Sequence, residues 1–201
     1  MILEGIVTTL DAAGRLNVAP MGPDVSDGLA RFVLRPYQTS TTFRNLRDTG
    51  VGVLHITDDV LLVARAVVKR LDGLETRPAS AIPGRILATT GRYHEFRVVA
   101  IDASSGRTRI TAATVAEGRQ GRDFFGLNRA KHAVVEAAIL ATRLDFLPPD
   151  EVRADFRRLA ILVEKTGGPA EREAFGLLDA HARSVLPTRP ETAGRSAGEV
   201  G

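Results

Sequence analysis

The sequence predicts a mainly β fold with helices, an α+β architecture in which short strands build a small barrel and a helical hairpin follows. Three observations carry that expectation. Roughly the first two-thirds of the chain reads as β-branched segments separated by compact turns. The last third changes to long runs with helical periodicity and few turn formers. Only one or two helical stretches interrupt the strands, too few for alternating β-α-β units.

Ile2–Leu10 (ILEGIVTTL) is β-branched, Asp11–Gly14 (DAAG) signals a turn and Arg15–Pro20 (RLNVAP) returns, so a hairpin is expected. Pro20–Gly28 reads as a loop. Ala30–Pro36 alternates, with Phe32 and Leu34 on one side and Arg31, Val33 and Arg35 on the other. Thr42–Thr49 reads as a short helix closed by Gly50. Val51–Thr57 is an apolar, buried strand. Asp58 and Asp59 then stand where a helix N-terminus favours negative charge, ahead of an amphipathic helix over Val60–Arg70. Leu71–Pro83, with Pro78 and Pro83, reads as a loop. Gly91–Arg119 is a second hairpin turning at Asp102–Gly106.

Arg129–Leu144 forms a helix beginning at Asn128 or a near neighbour. Pro148–Gly168 has prolines in front, acidic residues in its first turn and glycines behind, the expected start and stop signals. Val152, Phe156, Leu159 and Val163 share one face of it. Pro169–Leu186 repeats the pattern with Phe175, Leu178, Ala182 and Val185, and the short Gly-Gly-Pro link makes the two helices an antiparallel hairpin. The expected organisation is a strand-rich domain over 1–125, a helical region packing on the barrel over 126–186, and a disordered tail over 187–201.

Hydrophobic residues make up 44% of the 201, enough for a substantial core. No apolar run approaches the ~20 residues of a membrane span, and the N-terminus lacks the basic and apolar regions of a secretory signal, so a cytoplasmic protein is expected. The absence of cysteine excludes disulfides, thiolate metal sites and a cysteine nucleophile. The net charge of +3 comes from dispersed arginines interleaved with Asp and Glu, with aromatics at 5%, which argues against a nucleic-acid partner.

The stretch Arg35–Leu46 (RPYQTSTTFRNL) holds four consecutive hydroxyl residues, Thr39, Ser40, Thr41 and Thr42, between Arg35 and Asn45. It lies where a strand gives way to a helix. The first N–H groups of a helix lack internal partners and carry partial positive charge, so they attract anions. Hydroxyls add donors, Arg35 adds a fork suited to phosphate, and Asn45 sits one turn into the helix. Ordinary capping is the alternative, and one Ser or Thr would satisfy it. No G-x-x-x-x-G-K-[ST], G-x-G-x-x-G, G-x-S-x-G or H-E-x-x-H occurs. His132 and Glu136 share a helix face, but two ligands without a third make a surface ion pair the better reading, and no metal site is expected. Lys131 and Arg129 stand at a helix start, against the dipole preference, where an anionic ligand would suit them. His55, in an apolar strand, reads as a core histidine or a pocket residue.

Three segments, Gly14–Pro23, Leu34–Leu62 and Leu127–Leu144, resemble the domain of unknown function 447 family, among the flavin-reductase-like FMN-binding split barrels. The first also echoes the G-x-x-N-x-A-P segment that lines the flavin in wider flavin reductases. The resemblance implies a six-stranded split β-barrel (Greek key) that forms a homodimer with FMN near the interface. It implies that Arg35, Thr39, Ser40, Thr41, Thr42 and Asn45 hold the FMN phosphate. Ala19, Pro20, Met21 and Gly22 then run along the ring or ribityl chain. Lys131 and His132 either reach the pocket or support their helix. The activity expected from it is flavin-dependent redox chemistry, with a nicotinamide or a deazaflavin as reductant; the alternative is a non-catalytic FMN-binding module, a store or sensor. A third reading makes the helical hairpin a partner-binding surface.

Overall fold

The computed structural model describes residues 2–25, 28–120 and 128–186. The expected tail over 187–201 lies outside the described residues. The first hairpin forms as β1 (Gly5–Leu10) and β2 (Leu16–Met21), paired antiparallel from Gly5↔Met21 to Leu10↔Leu16. Asp11 closes its turn, its carboxylate accepting from the N–H groups of Ala13 and Arg15 at 2.9 Å each. β3 (Arg31–Leu34) shows the expected alternation, with Phe32 and Leu34 buried and Arg31 exposed. Helix α1 (Thr41–Thr49) ends at Gly50, whose φ of 68° is the left-handed cap that glycine adopts without strain.

β4 (Val51–Ile56) follows, then α2 (Val60–Val67), capped by Asp59 Oδ1, which accepts from Leu62 N–H at 3.0 Å. This helix stops three residues short of the expected Arg70, and Lys69 beyond it has a φ of 59°. Leu71–Pro83 is not the plain loop expected: β5 (Thr76–Pro78) pairs with β6 (Arg85–Leu87) as a small separate sheet. The long hairpin is β7 (Arg92–Asp102) with β8 (Arg109–Arg119).

The main sheet runs β2-β1-β4-β7-β8-β3. Its ends meet: Asp24, just past β2, exchanges two 2.9 Å backbone hydrogen bonds with Val33 of β3 and bridges Ile2. The six strands thus close into a barrel with no open edge at that point. Inside lie Val7, Phe32, Leu34, Leu54, Phe96 and Ile110, with Phe43 and Leu46 of α1 packed against them. Phe32 and Phe96 meet edge to face at 5.3 Å. Gly52 is required by this packing, because a Cβ would come within 2.7 Å of the Phe96 ring.

α3 (Arg129–Ala141) starts at Asn128, whose Oδ1 accepts from the N–H groups of Ala130 and Lys131. α4 (Pro149–Thr166) and α5 (Pro169–Val185) form the expected hairpin, with Phe156 and Phe175 ring centroids 5.7 Å apart. Val152, Phe156 and Val163 are buried and Leu159 is partly so; Val185 is 47% exposed, because it lies at the fraying end of α5. The hairpin does not pack alone. Val60 and Ala64 of α2 and the alanine-rich face of α3 share one apolar cluster with it, so four helices form the layer. Among the described residues, no helix is long and apolar enough to cross a membrane.

Candidate functional site

The chain leaves β3 through Arg35 and Pro36 and turns at Tyr37–Ser40 into α1. Ser40 is the N-cap: its Oγ accepts from Phe43 N–H at 3.1 Å and donates to Tyr37 O at 2.8 Å. One hydroxyl therefore does all that capping needs. Thr39 and Thr41 are exposed. Arg44 folds back over this first turn, Nη1 donating to Thr39 O at 2.7 Å and Nη2 to Thr41 Oγ1 at 3.1 Å. The first turn carries no acidic residue.

The backbone N–H groups of Thr41 and Thr42 have no partner among the described residues. Arg35 and Arg44 are both exposed, and neither forms an ion pair among the described residues. The Arg44 guanidinium, two unpaired amides and two exposed hydroxyls thus surround a positive helix end whose first turn has no acidic residue, and Arg35 stands exposed at the end of β3, five residues before Ser40. This is the chemistry of a phosphate or carboxylate receptor.

Thr42 and Asn45 turn inward and are 3% and 4% exposed. Asn17 Nδ2 on β2 donates to Thr42 Oγ1 at 3.1 Å and to Thr9 Oγ1 at 3.2 Å. Asn45 Nδ2 donates to the same Thr9 hydroxyl at 3.0 Å. This buried network pins α1 to the first hairpin. Asn17 and Thr9 are absent from the residues singled out in the sequence; the available signal was the asparagine within Gly14–Pro23.

Ala19, Pro20 and Met21 lie half-buried on β2, the strand that carries Asn17, and Gly22 follows them. Gly22 has a close-packing reason of its own: a Cβ would lie 2.8 Å from Ile2 Cγ2 and 2.9 Å from Glu4 Oε1. Burial raises the Glu4 pKa first, Glu136 of α3 adds to it, and Arg143 opposes. The helical layer therefore flanks this end of the barrel.

The remaining candidates have other partners. His55 is fully buried, its Nδ1 donating to Ile6 O at 3.3 Å and its Nε2 accepting from Leu87 N–H at 3.0 Å. Burial holds its pKa down at about 4, against weaker upward pulls from the backbone of Ile6 and Val53. It is a neutral core residue tying β4 to β1 and β6, which corrects the pocket reading. Lys131 donates to Asp58 Oδ2 at 2.6 Å and Asp58 O at 3.0 Å, fastening α3 to the start of α2. His132 is 72% exposed and 3.9 Å from Glu136, a loose surface pair. His94, also buried, has Nδ1 3.2 Å from Glu117 Oε2 without hydrogen-bond direction. Among the described residues, no three His, Asp or Glu side chains gather as metal ligands.

Comparison with known structures gives the same architecture. The FMN-bound protein MM1853 from Methanosarcina mazei, of family DUF447, superposes with a TM-score of 0.79 at 21% identity, covering 90% of this chain and 94% of that one. Flavoredoxin of Desulfovibrio vulgaris (Miyazaki F) gives 0.50 at 14% identity, over 61% of this chain and 73% of its own. A proposed flavin reductase with a split barrel domain from Shewanella frigidimarina NCIMB 400 gives 0.51 at 13% identity, over 60% and 68%. The fold is thus the six-stranded split barrel of flavin-reductase-like proteins with helices added. By sequence, residues 3–120 match the protein of unknown function (DUF447) N-terminal domain and residues 128–180 match protein of unknown function (DUF447), so the chain belongs to the DUF447 family.

Proposed function

We propose that the chain binds FMN with its phosphate at the start of α1 and acts as a flavin-dependent oxidoreductase. The observation that carries this reading is the α1 entrance, where Arg44 folds over the N–H groups of Thr41 and Thr42 in a first turn without an acidic residue; exposed Arg35, just before it in the chain, is taken as the second arginine of the cradle. The FMN bound by the Methanosarcina relative supports the identity of the anion. Arg35 and Arg44 supply charge-assisted hydrogen bonds, and Thr39 and Thr41 supply hydroxyl donors. Ser40 shapes the turn. Thr42 and Asn45 act from behind, holding α1 against Thr9 and Asn17 so that its N–H groups stay aimed. Ala19–Gly22 line the ring or ribityl chain along β2.

When bound, FMN supplies hydride and electron transfer, with a nicotinamide or a deazaflavin as electron donor. The working unit is a homodimer, a reading supported by the exposed Val99, Ile101 and Val115 on the long hairpin. Residues 1–125 carry the flavin, and 126–186 supply the helices that join α2 in the helical layer. Non-catalytic storage of FMN is the second reading, favoured by the absence of an acid or base among the cradle residues. The test is the visible spectrum of the purified chain, identification of the released cofactor, and anaerobic mixing with NADH, NADPH or a reduced deazaflavin. Bleaching of the bound flavin with turnover supports the enzyme; a stable oxidised spectrum with every donor leaves storage; a colourless protein that gives no spectrum with added FMN overturns both.

A further inference from the structure

Phe146 is the most exposed large apolar side chain among the described residues, at 73%. It sits in the turn after α3 and has no place in any of the four apolar clusters. Its ring nevertheless has a fixed partner: Tyr37, at the head of the hydroxyl-rich turn, stacks with it at a centroid distance of 6.1 Å and an interplanar angle of 17°. Tyr37 is itself 44% exposed. The Arg107 guanidinium lies 5.6 Å from the Tyr37 ring centroid, and its Nε donates to Arg35 O at 3.2 Å. Gln38 ties the same turn to the tip of the β7–β8 hairpin through Ala103 O and Ser105 O. A rigid, solvent-facing arrangement of two parallel rings and an arginine therefore stands two residues from the phosphate-type cradle.

We propose that Phe146, Tyr37 and Arg107 form a stacking platform for the planar ring of a second ligand, a phosphorylated heteroaromatic of the kind that delivers electrons to a flavin. Exposed aromatic faces bind flat π systems irrespective of their substituents, and a guanidinium beside them adds cation–π attraction and a contact for phosphate. Arg107, outside the FMN cradle and in no ion pair among the described residues, makes this surface selective for an anionic version of such a ring. The proposal rests on the flavin reading for its biological use but not for its test.

The chain has no tryptophan, so Phe146→Trp places a sole reporter indole on the platform. Full-length protein carrying that substitution is titrated with NAD+, NADP+ and an oxidised phosphorylated deazaflavin, once loaded with FMN and once free of it. Saturable quenching of the indole by one of these probes, with the FMN-free protein responding too, is the expected result; which probe saturates at the lowest concentration identifies the donor class. Calorimetry of Phe146→Ser should show that probe bound about tenfold more weakly, with FMN affinity changed less than twofold. Arg107→Gln should weaken the phosphorylated probe more than its unphosphorylated counterpart. Unchanged affinity in Phe146→Ser, or an indole emission that is already blue-shifted and follows protein concentration because a second copy covers it, overturns the proposal. Loss of FMN binding in the unsubstituted chain would instead overturn the flavin reading and leave the quenching result standing.

Discussion

Ser40 alone satisfies the N-cap of α1, which leaves the hydroxyls around it for other work. Thr41 receives Arg44, Thr42 receives Asn17, and Thr39 faces solvent with its carbonyl bound to Arg44. Removing Ser40 (Ser40→Ala) should therefore cost about 1 kcal/mol of stability, seen in denaturant unfolding. Arg35→Ala and Arg44→Ala should weaken FMN by about tenfold or more each, as expected for charge-assisted bonds of about 1.5–3 kcal/mol, while riboflavin affinity stays nearly level. Fluorescence titration with both flavins checks this, and equal losses would remove the arginines from the phosphate site. His55 gives a pH prediction. Its folded pKa, about 4, lies below the 6.5 of a free imidazole, so the unfolded chain takes the proton first as pH falls. Stability is intact above about 6.5 and declines toward pH 4, by up to about 3 kcal/mol. Glu95 acts at lower pH. Burial raises its pKa, but the N–H groups of Ser80, Ala81 and Ile82 and the Ser80 hydroxyl together hold it below the ordinary carboxylate value. Its stabilisation is lost only as pH falls through that depressed value. Urea unfolding at pH 7.5, 5.5 and 4.5 reads the buried histidines together, since burial also lowers the His94 pKa, and His55→Gln should remove the His55 share of that limb. The crowd of hydroxyls was legible in the sequence; their division of labour was not, because Thr42 and Asn17 are 25 residues apart.

At the scale of elements, α1 is held less by its own nine residues than by what it touches. The Asn45–Thr9 bond is buried and the Asn17–Thr42 bond partly so, and deleting Asn17 strands the buried Thr42 hydroxyl. Asn17→Ala should cost about 1–3 kcal/mol, and a double-mutant cycle with Thr42→Val should show coupling above about 0.5 kcal/mol. Additive effects would mean the network is incidental. Helices and hairpins with strong local signals were readable: prolines open α4 and α5, and Asp102–Gly106 turns the long hairpin. The β5–β6 pair was not. Its strands have three residues each, flanked by prolines, and gain their order from packing of Ile82 and Ile86 on Val51 and Val53 and from Glu95 gripping Ser80 and Ala81. Such order is tertiary and leaves little mark on local propensity.

For the whole molecule, chain order and packing part company at α2. It belongs to the strand-rich part by sequence, yet it packs on Ile6 and Val18 of the main sheet and Leu87 of β6 with one face and joins α3 and α5 with the other. Arg65 on α2 pairs with Glu173 on α5 at 2.9 Å, and Lys131 on α3 grips Asp58. Barrel and helices should therefore melt in one transition, and a chain cut after residue 125 should expose the apolar side of α2 and bind a hydrophobic dye. Separate transitions in calorimetry would contradict that. Barrel closure through Asp24 and Val33 was likewise beyond the reach of local pattern, since it joins segments that read as loop and strand; the strand pattern suggested a small barrel and the family resemblance a six-stranded split one. The central claim is that the positive end of α1 receives the phosphate of FMN. The most direct measurement is the affinity of the purified chain for FMN and riboflavin side by side, followed by flavin fluorescence. The account predicts FMN bound at least tenfold more tightly, with the difference removed in Arg35→Ala/Arg44→Ala; equal affinities in the unsubstituted chain would contradict it.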